Sequence, residues 1–290
     1  MLQIDRMEID DVGANPTKLA DAILDQIGDL VLPIPVRDIC RAVGIVDIRE
    51  QPLKGLEGCL VTTSDKFQGD ILVNNDDRPE SRIRFTIGHE LGHFLNPLHT
   101  PESAIGFQCS GRDLRLESKS SNNRHARMEA EANQFASDLL LPNRFLAKYI
   151  DGKIDVDLSH ILEIAKRSEV SREAVARKYV IHAHERLAVI FSKNGHVRYA
   201  SKPRDFPRLC VSPGVALPEL SLSRRCNHDV GKVTCWDNVD SCVWLENAQG
   251  IRLHEQTIAQ RKGYRMTLLS IEDEREEDDE ADAEWNGPSF

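Results

Sequence analysis

The stretch "FTIGHELGHFL", residues 85–95, carries two histidines four positions apart and a glutamate directly after the first. On an α-helix, residues four apart lie one turn apart on the same face. At ~100° per residue, His93 falls ~40° and Glu90 ~100° from His89, whereas the apolar residues cluster around ~170°. The pattern therefore predicts a helix whose histidines point away from its main core face.

This spacing is typical of a zinc site. Two neutral imidazoles one turn apart can occupy adjacent corners of a tetrahedron, and the neighbouring carboxylate can take a proton from water at the fourth corner. The alternative is a polar helix face that carries histidines by accident, and His-Glu-x-x-His arises by chance in such a chain with a probability of roughly a few per cent. We predict His89 and His93 as zinc ligands and Glu90 as the catalytic base.

A third ligand is expected from the second strong helical pattern, "RHARMEAEANQFASDLLLP", residues 124–142. Glu129 falls ~60° from the centre of its apolar stripe, and Glu131 falls ~100° away on the other flank. A buried carboxylate needs a partner, because an unpaired buried charge is costly. We predict Glu129 as the third ligand, with Glu131 as the alternative, and Asn133 as the hydrogen-bond partner of a ligand histidine. Glu129 could otherwise be a surface acid that pairs with a nearby arginine.

Three stretches together resemble the ImmA/IrrE family of zinc metallopeptidases: "RIRFTIGHELGHFL", "FQCSGRDLRLES" and "EAEANQFASDLLLP". The resemblance is strong over about residues 69–145 and weaker over 17–184. These enzymes are gluzincins, with two histidines and a glutamate on the metal. In the family, the glutamate four residues before the asparagine of E-x-x-A-N-x-F-A binds zinc, which corresponds to Glu129 here.

The resemblance also implies a fold and a role. It implies an N-terminal α/β peptidase domain and then a helix-turn-helix-like helical region, which here would cover about residues 157–184. Family members cleave transcriptional repressors of prophages, mobile elements or stress regulons, and some carry a C-terminal sensor-like domain. In the helix-turn-helix-like segment glutamates offset most of the basic residues, which favours a structural or substrate-docking role over direct DNA binding.

The expected fold class is α+β. A mostly helical, zincin-like domain with a small sheet and the helix-turn-helix-like helices would span residues 1–185. A smaller β-rich domain of unknown role would span 186–270, since its segments read as strands separated by turn residues. These segments are "RLAVIFS", "HVRYAS", "KVTCWDN", "DSCVWLEN" and "YRMTLLSIE".

An acidic segment dominates the net charge of −10. Residues 271–284, "IEDEREEDDEADAE", contain ten acids and one arginine, which leaves the rest of the chain nearly neutral. We expect residues 271–290 to be a disordered tail, because they have almost nothing to bury. The sequence has no apolar run long enough for a membrane span and no signal peptide, which predicts a cytoplasmic protein. Seven scattered cysteines predict reduced thiols.

Two further groups of residues are candidates for sites. Cysteines and a histidine in "CNHDVGKVTCWDNVDSC" could hold a second zinc, but they lack a paired C-x2-C knuckle, so free thiols are expected. They are Cys226, His228, Cys235 and Cys242. One of His99, His125 and Tyr149 could stabilise an oxyanion, and the sequence does not choose among them.

The sequence thus predicts a zinc-dependent endopeptidase. Its substrate would be a helix-turn-helix transcriptional repressor encoded nearby, whose cleavage derepresses genes of a prophage, a mobile element or a stress response. The alternative is a non-catalytic DNA- or protein-binding regulator with a structural zinc site. Glu90 favours the enzyme, because a structural site has no use for a base beside its ligands.

Overall fold

A computed structural model describes residues 2–29, 31–101, 106–115, 123–226 and 229–272. The chain divides into two compact units. The first comprises the chain up to Ile154 together with His160–Val175, and the second comprises Asp155–Ser159 and the chain from Ala176 onward. The sequence-based domain boundaries at residues 185 and 270 remain predictions.

Helices form most of the first unit, and the last two of them contribute residues to both units. They are α1 Arg6–Asp11, α2 Pro16–Ile27, α3 Val36–Ala42, α4 Glu80–Leu95, α5 Arg124–Leu140, α6 Asn143–Asp151, α7 Leu158–Ser168 and α8 Arg172–His182. Prolines and capping residues set the ends of the two longest helices. Helix α4 follows Pro79 and stops before Pro97, whereas α5 follows Asn123, whose side chain accepts a hydrogen bond from the His125 backbone, and stops before Pro142.

A four-stranded sheet completes the first unit. Its strands are β1 Ile45–Gln51, β2 Gly58–Thr62, β3 Gly69–Asn74 and β4 Phe107–Cys109, in the order β1-β3-β2-β4. Strands β1 and β3 are parallel, and β2 pairs antiparallel with both β3 and β4. The sequence does not predict the short strand β4, because three residues are too few to show a strand period.

Helix α4 lies at the centre of this unit and is buried on nearly every side. The sequence places the histidines away from the main apolar face of this helix, and the structure buries them nonetheless, since His89 and His93 are 0% and 1% exposed. Helix α5 packs along α4 through glycines: a Cβ on Gly92 would lie 3.0 Å from Phe135 Cδ1, and one on Gly88 would lie 3.3 Å from Ala136 Cβ. This close approach encloses the polar face of α4.

The second unit contains a five-stranded antiparallel sheet and a short helix, α9 Leu222–Arg225. The strands are β5 Arg186–Lys193, β6 His196–Ser201, β7 Asp237–Val239, β8 Arg252–Ala259 and β9 Tyr264–Glu272, in the order β6-β5-β9-β8-β7. Together with the helical first unit, this sheet confirms the α+β fold class.

Three details of the second unit differ from expectation. "KVTCWDN" contributes only the start of β7, and "DSCVWLEN" forms a 3₁₀ helix, Ser241–Val243, because the Asp240 side chain caps the backbone of Cys242. Strand β8 was missed, since its buried positions include Glu255, Gln256 and Thr257.

Two remaining expectations concern the C-terminal tail and membrane-spanning segments. Strand β9 continues to Glu272, so the predicted tail overlaps its last two residues, and residues 273–290 lie outside the described part of the chain. Within the described ranges, no helix combines the length and apolar character that a membrane span requires.

Candidate metal centre

Two helices supply the polar side chains at the centre of the first unit. Helix α4 contributes His89, Glu90 and His93, and α5 contributes Glu129 and Asn133. The first four are at most 3% exposed, and Asn133 is 9% exposed. Polar groups this deeply buried require partners, so their contacts indicate what the site is built for.

Three of these side chains converge on one point. The Nε2 atoms of His89 and His93 lie 3.1 Å apart. Glu129 Oε2 lies 3.1 Å from His89 Nε2, and Glu129 Oε1 lies 3.3 Å from His93 Nε2. The three residues form a group capable of holding a metal ion, and two imidazole nitrogens with a carboxylate oxygen are donors that zinc accepts.

Asn133 fixes the proton on His89. Its amide Nδ2 donates to the Asp113 backbone carbonyl, 2.8 Å away, so its Oδ1 must be the atom that faces His89 Nδ1 at 2.9 Å. His89 Nδ1 therefore carries the hydrogen and donates it. In a neutral ring the Nε2 atom is then left with a lone pair that points towards Glu129.

The electrostatics of this group fit a cation. Burial lowers the pKa of His93 to about 3, so its ring is neutral. Burial raises the pKa of Glu129, and positive charge shared with His89 and His93 lowers it by more. Among the described atoms, Glu129 Oε2 has no hydrogen-bond donor, although His89 Nε2 lies 3.1 Å from it. A lone pair and a carboxylate oxygen face each other without a proton, which is an arrangement that a bound cation stabilises.

Glu90 is buried beside this group and has no hydrogen-bond partner for either carboxylate oxygen among the residues that the structure describes. Burial raises the pKa of Glu90 well above its usual range, and the negative charges of Glu129 and Asp113 add to this effect. Strand β2 packs directly against the carboxylate, because a Cβ on Gly58 would lie 2.6 Å from Glu90 Oε1. Glu90 is thus held in place by packing and keeps its oxygens available.

Of the sequence-predicted alternatives, Glu131 does not join the converging group. Its Oε2 atom lies 3.0 Å from His99 Nε2, and His99 Nδ1 lies 3.0 Å from His93 Nδ1. His99 is 1% exposed and lies behind His93. Two residues to which the sequence assigned separate roles are therefore in contact with each other.

The other two candidates for oxyanion stabilisation are placed differently. His125 has a 34% exposed side chain, with Nδ1 3.8 Å from Glu129 Oε1 and Nε2 3.6 Å from Asp113 Oδ1. Tyr149 donates a hydrogen bond from its hydroxyl to Glu163 Oε2, 2.6 Å away, between α6 and α7. His125 is therefore the candidate at the accessible edge of the converging group.

Sequence reasoning missed two residues at this site. Lys66 Nζ is buried and donates to the backbone carbonyls of His93 and Asn96, 2.7 Å from each, which satisfies the C-terminal end of α4. Cys109 in β4 forms a metal-capable group with His89 and Glu90, and burial, followed by the charge of Glu90, raises the pKa of its thiol. Neither residue has a spacing pattern that could have revealed it.

The expectation of free thiols in the second unit, rather than a second zinc site, stays a prediction. Cys235 and Cys242 are exposed and Cys226 is half-buried. Within the described residues these three belong to no metal-capable group, and His228 lies outside those residues.

Comparisons with known proteins show what this chain is similar to. A sequence profile of the IrrE N-terminal-like domain, Peptidase_M78, matches residues 40–179, a span that contains both α4 and α5. A comparison with curated proteins finds no significant match. Among solved structures, a Mycobacterium tuberculosis transcriptional regulator is similar in fold, with a TM-score of 0.51 and 12% identity over 92% of this chain and 80% of that one. The region that carries the converging histidines and glutamate belongs to the ImmA/IrrE family of peptidases.

Proposed function

We propose that this protein is a zinc-dependent endopeptidase that cleaves a protein substrate. The observation that carries the proposal is Glu90: a buried carboxylate without a hydrogen-bond donor in the described structure, adjacent to a converging set of two histidines and a glutamate. A buried group left without partners requires an explanation, and proton transfer to and from a reacting molecule supplies one.

His89, His93 and Glu129 are the proposed ligands, and Asn133 orients His89 by accepting its Nδ1 hydrogen. When bound, Zn²⁺ supplies a Lewis acid that polarises the scissile carbonyl and makes water more acidic. Three protein ligands are the number typical of catalytic zinc sites, whereas structural sites have four.

Glu90 acts as the general base and then as the general acid. Its carboxylate accepts a proton from the attacking water as the new carbon–oxygen bond forms, and it donates this proton to the amine nitrogen as the peptide bond breaks. The raised pKa of Glu90 favours this double role, because a carboxyl group with an ordinary pKa holds a proton weakly at neutral pH.

His125 is the proposed donor to the oxyanion. It is the only one of the three sequence-based candidates that lies beside Glu129 with a partly exposed side chain, and an imidazole N–H directed at the developing charge lowers the barrier. His99 is buried behind His93, and the Tyr149 hydroxyl is engaged with Glu163.

The proposed substrate is a helix-turn-helix transcriptional repressor encoded nearby, in the cytoplasm, and its cleavage would derepress genes of a prophage, a mobile element or a stress response. Membership of the matched region in the ImmA/IrrE family supports this substrate class. The competing hypothesis remains a non-catalytic DNA- or protein-binding regulator with a structural zinc. Direct DNA binding by α7 and α8 is the less favoured alternative, because acidic residues accompany the basic ones there.

The substitution Glu90→Gln separates the two hypotheses. Glutamine has nearly the same size, so fold and zinc content should survive, but it does not accept a proton at neutral pH. Peptide hydrolysis should fall by ~10²–10⁴-fold, the usual contribution of general-base catalysis. The assay co-expresses each form with the neighbouring repressor and follows the repressor's mass. Equal relief of repression by both forms, with the repressor intact, would establish the regulator instead.

A further inference from the structure

His99 and Glu131 have no role in the site as proposed, yet the fold brings them together directly behind a ligand. Glu131 lies two residues after Glu129 on α5 and therefore points to a different side of that helix. His99 follows the end of α4 and lies between Glu131 and His93, with both of its ring nitrogens 3.0 Å from a polar atom.

The hydrogen atoms of His99 and His93 can be assigned in turn, starting from Glu131. An ionised Glu131 carboxylate only accepts, so His99 Nε2 must carry a hydrogen and donate it. The Nδ1 atom of a neutral His99 then has a lone pair, and its neighbour His93 Nδ1 must be the donor. His93 Nε2 is thereby left without a hydrogen, and this atom faces Glu129 and His89.

Asn133 produces the same result for His89 by a single contact, since its amide oxygen accepts the Nδ1 hydrogen directly. The two histidines are thus oriented by different partners. His89 is oriented by an amide that is fixed by a backbone carbonyl, whereas His93 is oriented by a second imidazole that is fixed by a carboxylate. Both leave the Nε2 lone pair directed into the converging group.

We propose that His99 and Glu131 form a relay that holds His93 in its Nδ1–H tautomer and so sets the metal affinity of the site. They are positioning residues and not ligands. The proposal rests on the metal centre proposed above, and it accounts for why a histidine occupies a position 1% exposed. An apolar side chain would fill that space without the cost of burying two nitrogens.

The test measures zinc affinity of the full-length chain by competition with a chromophoric chelator. His99→Phe removes the acceptor for His93, and Glu131→Leu removes the acceptor for His99, so each should weaken zinc binding by ~10–100-fold, as loss of an outer hydrogen-bond partner does. Glu131→Gln keeps an oxygen that accepts from His99 and should stay near the native affinity. His196→Phe, the same substitution at an exposed histidine of the second unit, should have no effect.

A second readout needs no metal. In chelator-treated protein, the ¹⁵N shifts of the His93 ring should show a protonated Nδ1 and an unprotonated Nε2, and Glu131→Leu should give a mixture of tautomers. Glu131 has a 21% exposed side chain, so this variant should fold even if His99→Phe does not. Native affinity and an unchanged His93 tautomer in Glu131→Leu would overturn the relay. A native chain that binds no zinc would overturn the proposed function, and the tautomer measurement would still decide on the relay.

Discussion

Glu90 and Glu255 are both glutamates with 0% exposure, one in each compact unit, and their surroundings are opposite. Glu255 in β8 accepts hydrogen bonds from Leu222 N at 2.9 Å, Ser223 N at 2.7 Å and Trp244 Nε1 at 2.9 Å. Glu90 accepts none from any residue that the structure describes. The two carboxylates are equally buried, but among the described residues Glu255 has three more hydrogen-bond donors than Glu90.

This difference separates a carboxylate that holds the fold together from one whose oxygens remain available. The desolvation cost of Glu255 is offset by hydrogen bonds that also fix α9 and the Trp244 ring, so its charge stabilises the second unit. The cost of Glu90 is not offset by any donor in the described structure, and packing against Gly58 keeps the side chain in place. An isolated buried carboxylate next to histidines is therefore a better indicator of chemistry than burial alone.

The largest expected effect is the loss of stability when Glu255 is replaced. Glu255→Leu leaves two backbone N–H groups and an indole N–H buried without an acceptor, and each orphaned donor costs ~1–3 kcal/mol. We expect the free energy of unfolding, measured by urea denaturation, to fall by several kcal/mol on this scale. Glu219→Leu, at an exposed position of the same unit, is the control. A loss for Glu255→Leu no larger than that of the control would show that the three hydrogen bonds contribute little.

Gly58→Ala tests whether packing positions Glu90. The added Cβ would lie 2.5 Å from Thr86 Cγ2 and 2.6 Å from Glu90 Oε1, so the carboxylate must move. A displacement of about 1 Å can cost ~10²-fold in rate, and we expect hydrolysis to fall by about that factor while zinc content is retained. Gly152→Ala, where a Cβ lies no closer than 3.5 Å to a neighbour, should keep native activity. Unchanged hydrolysis in Gly58→Ala would show that the position of Glu90 does not depend on this contact.

The smallest expected effect is the change in the free energy of unfolding caused by Glu90→Gln in the presence of chelator. Its sign is opposite to that expected for Glu255→Leu. Because the pKa of Glu90 is raised above its ordinary value of 4.5, the folded native chain retains this proton better than the unfolded chain. The associated stability is present below pH 4.5 and is lost as the pH rises through the raised pKa. The variant lacks this loss, so at neutral pH it should be as stable as the native chain or more stable. A clear destabilisation in urea at pH 7 would show that Glu90 has stabilising partners.

The sequence predicts the parts of the site that depend on local periodicity. The His-Glu-x-x-His spacing and the apolar stripe of α5 are properties of single helices, so His89, His93 and Glu129 could be placed before any tertiary contact was known. The pairing of His99 with Glu131 depends on the path of the chain after α4, and no helical period encodes it.

The same limit applies to the strands. The contact of Gly58 with Glu90 depends on where β2 crosses α4. Strand β8 was missed because three of its five buried positions are polar residues whose partners lie elsewhere in the chain. Hydrophobic patterns identify elements that bury apolar faces. They do not identify elements whose buried groups are satisfied by distant donors.

If the proposed metal binds, the glycine contacts between α4 and α5 would also couple its uptake to folding. The histidines and Glu129 belong to different helices, and they meet only when Gly88 and Gly92 are docked against α5. An ion that engages all three binds the docked pair and not the unfolded chain, so it shifts the folding equilibrium by mass action. At a free ion concentration 1,000 times the Kd this linkage amounts to ~4.1 kcal/mol. The ion proposed for catalysis would therefore also stabilise the first unit reversibly, and the stability of that unit would follow the supply of metal.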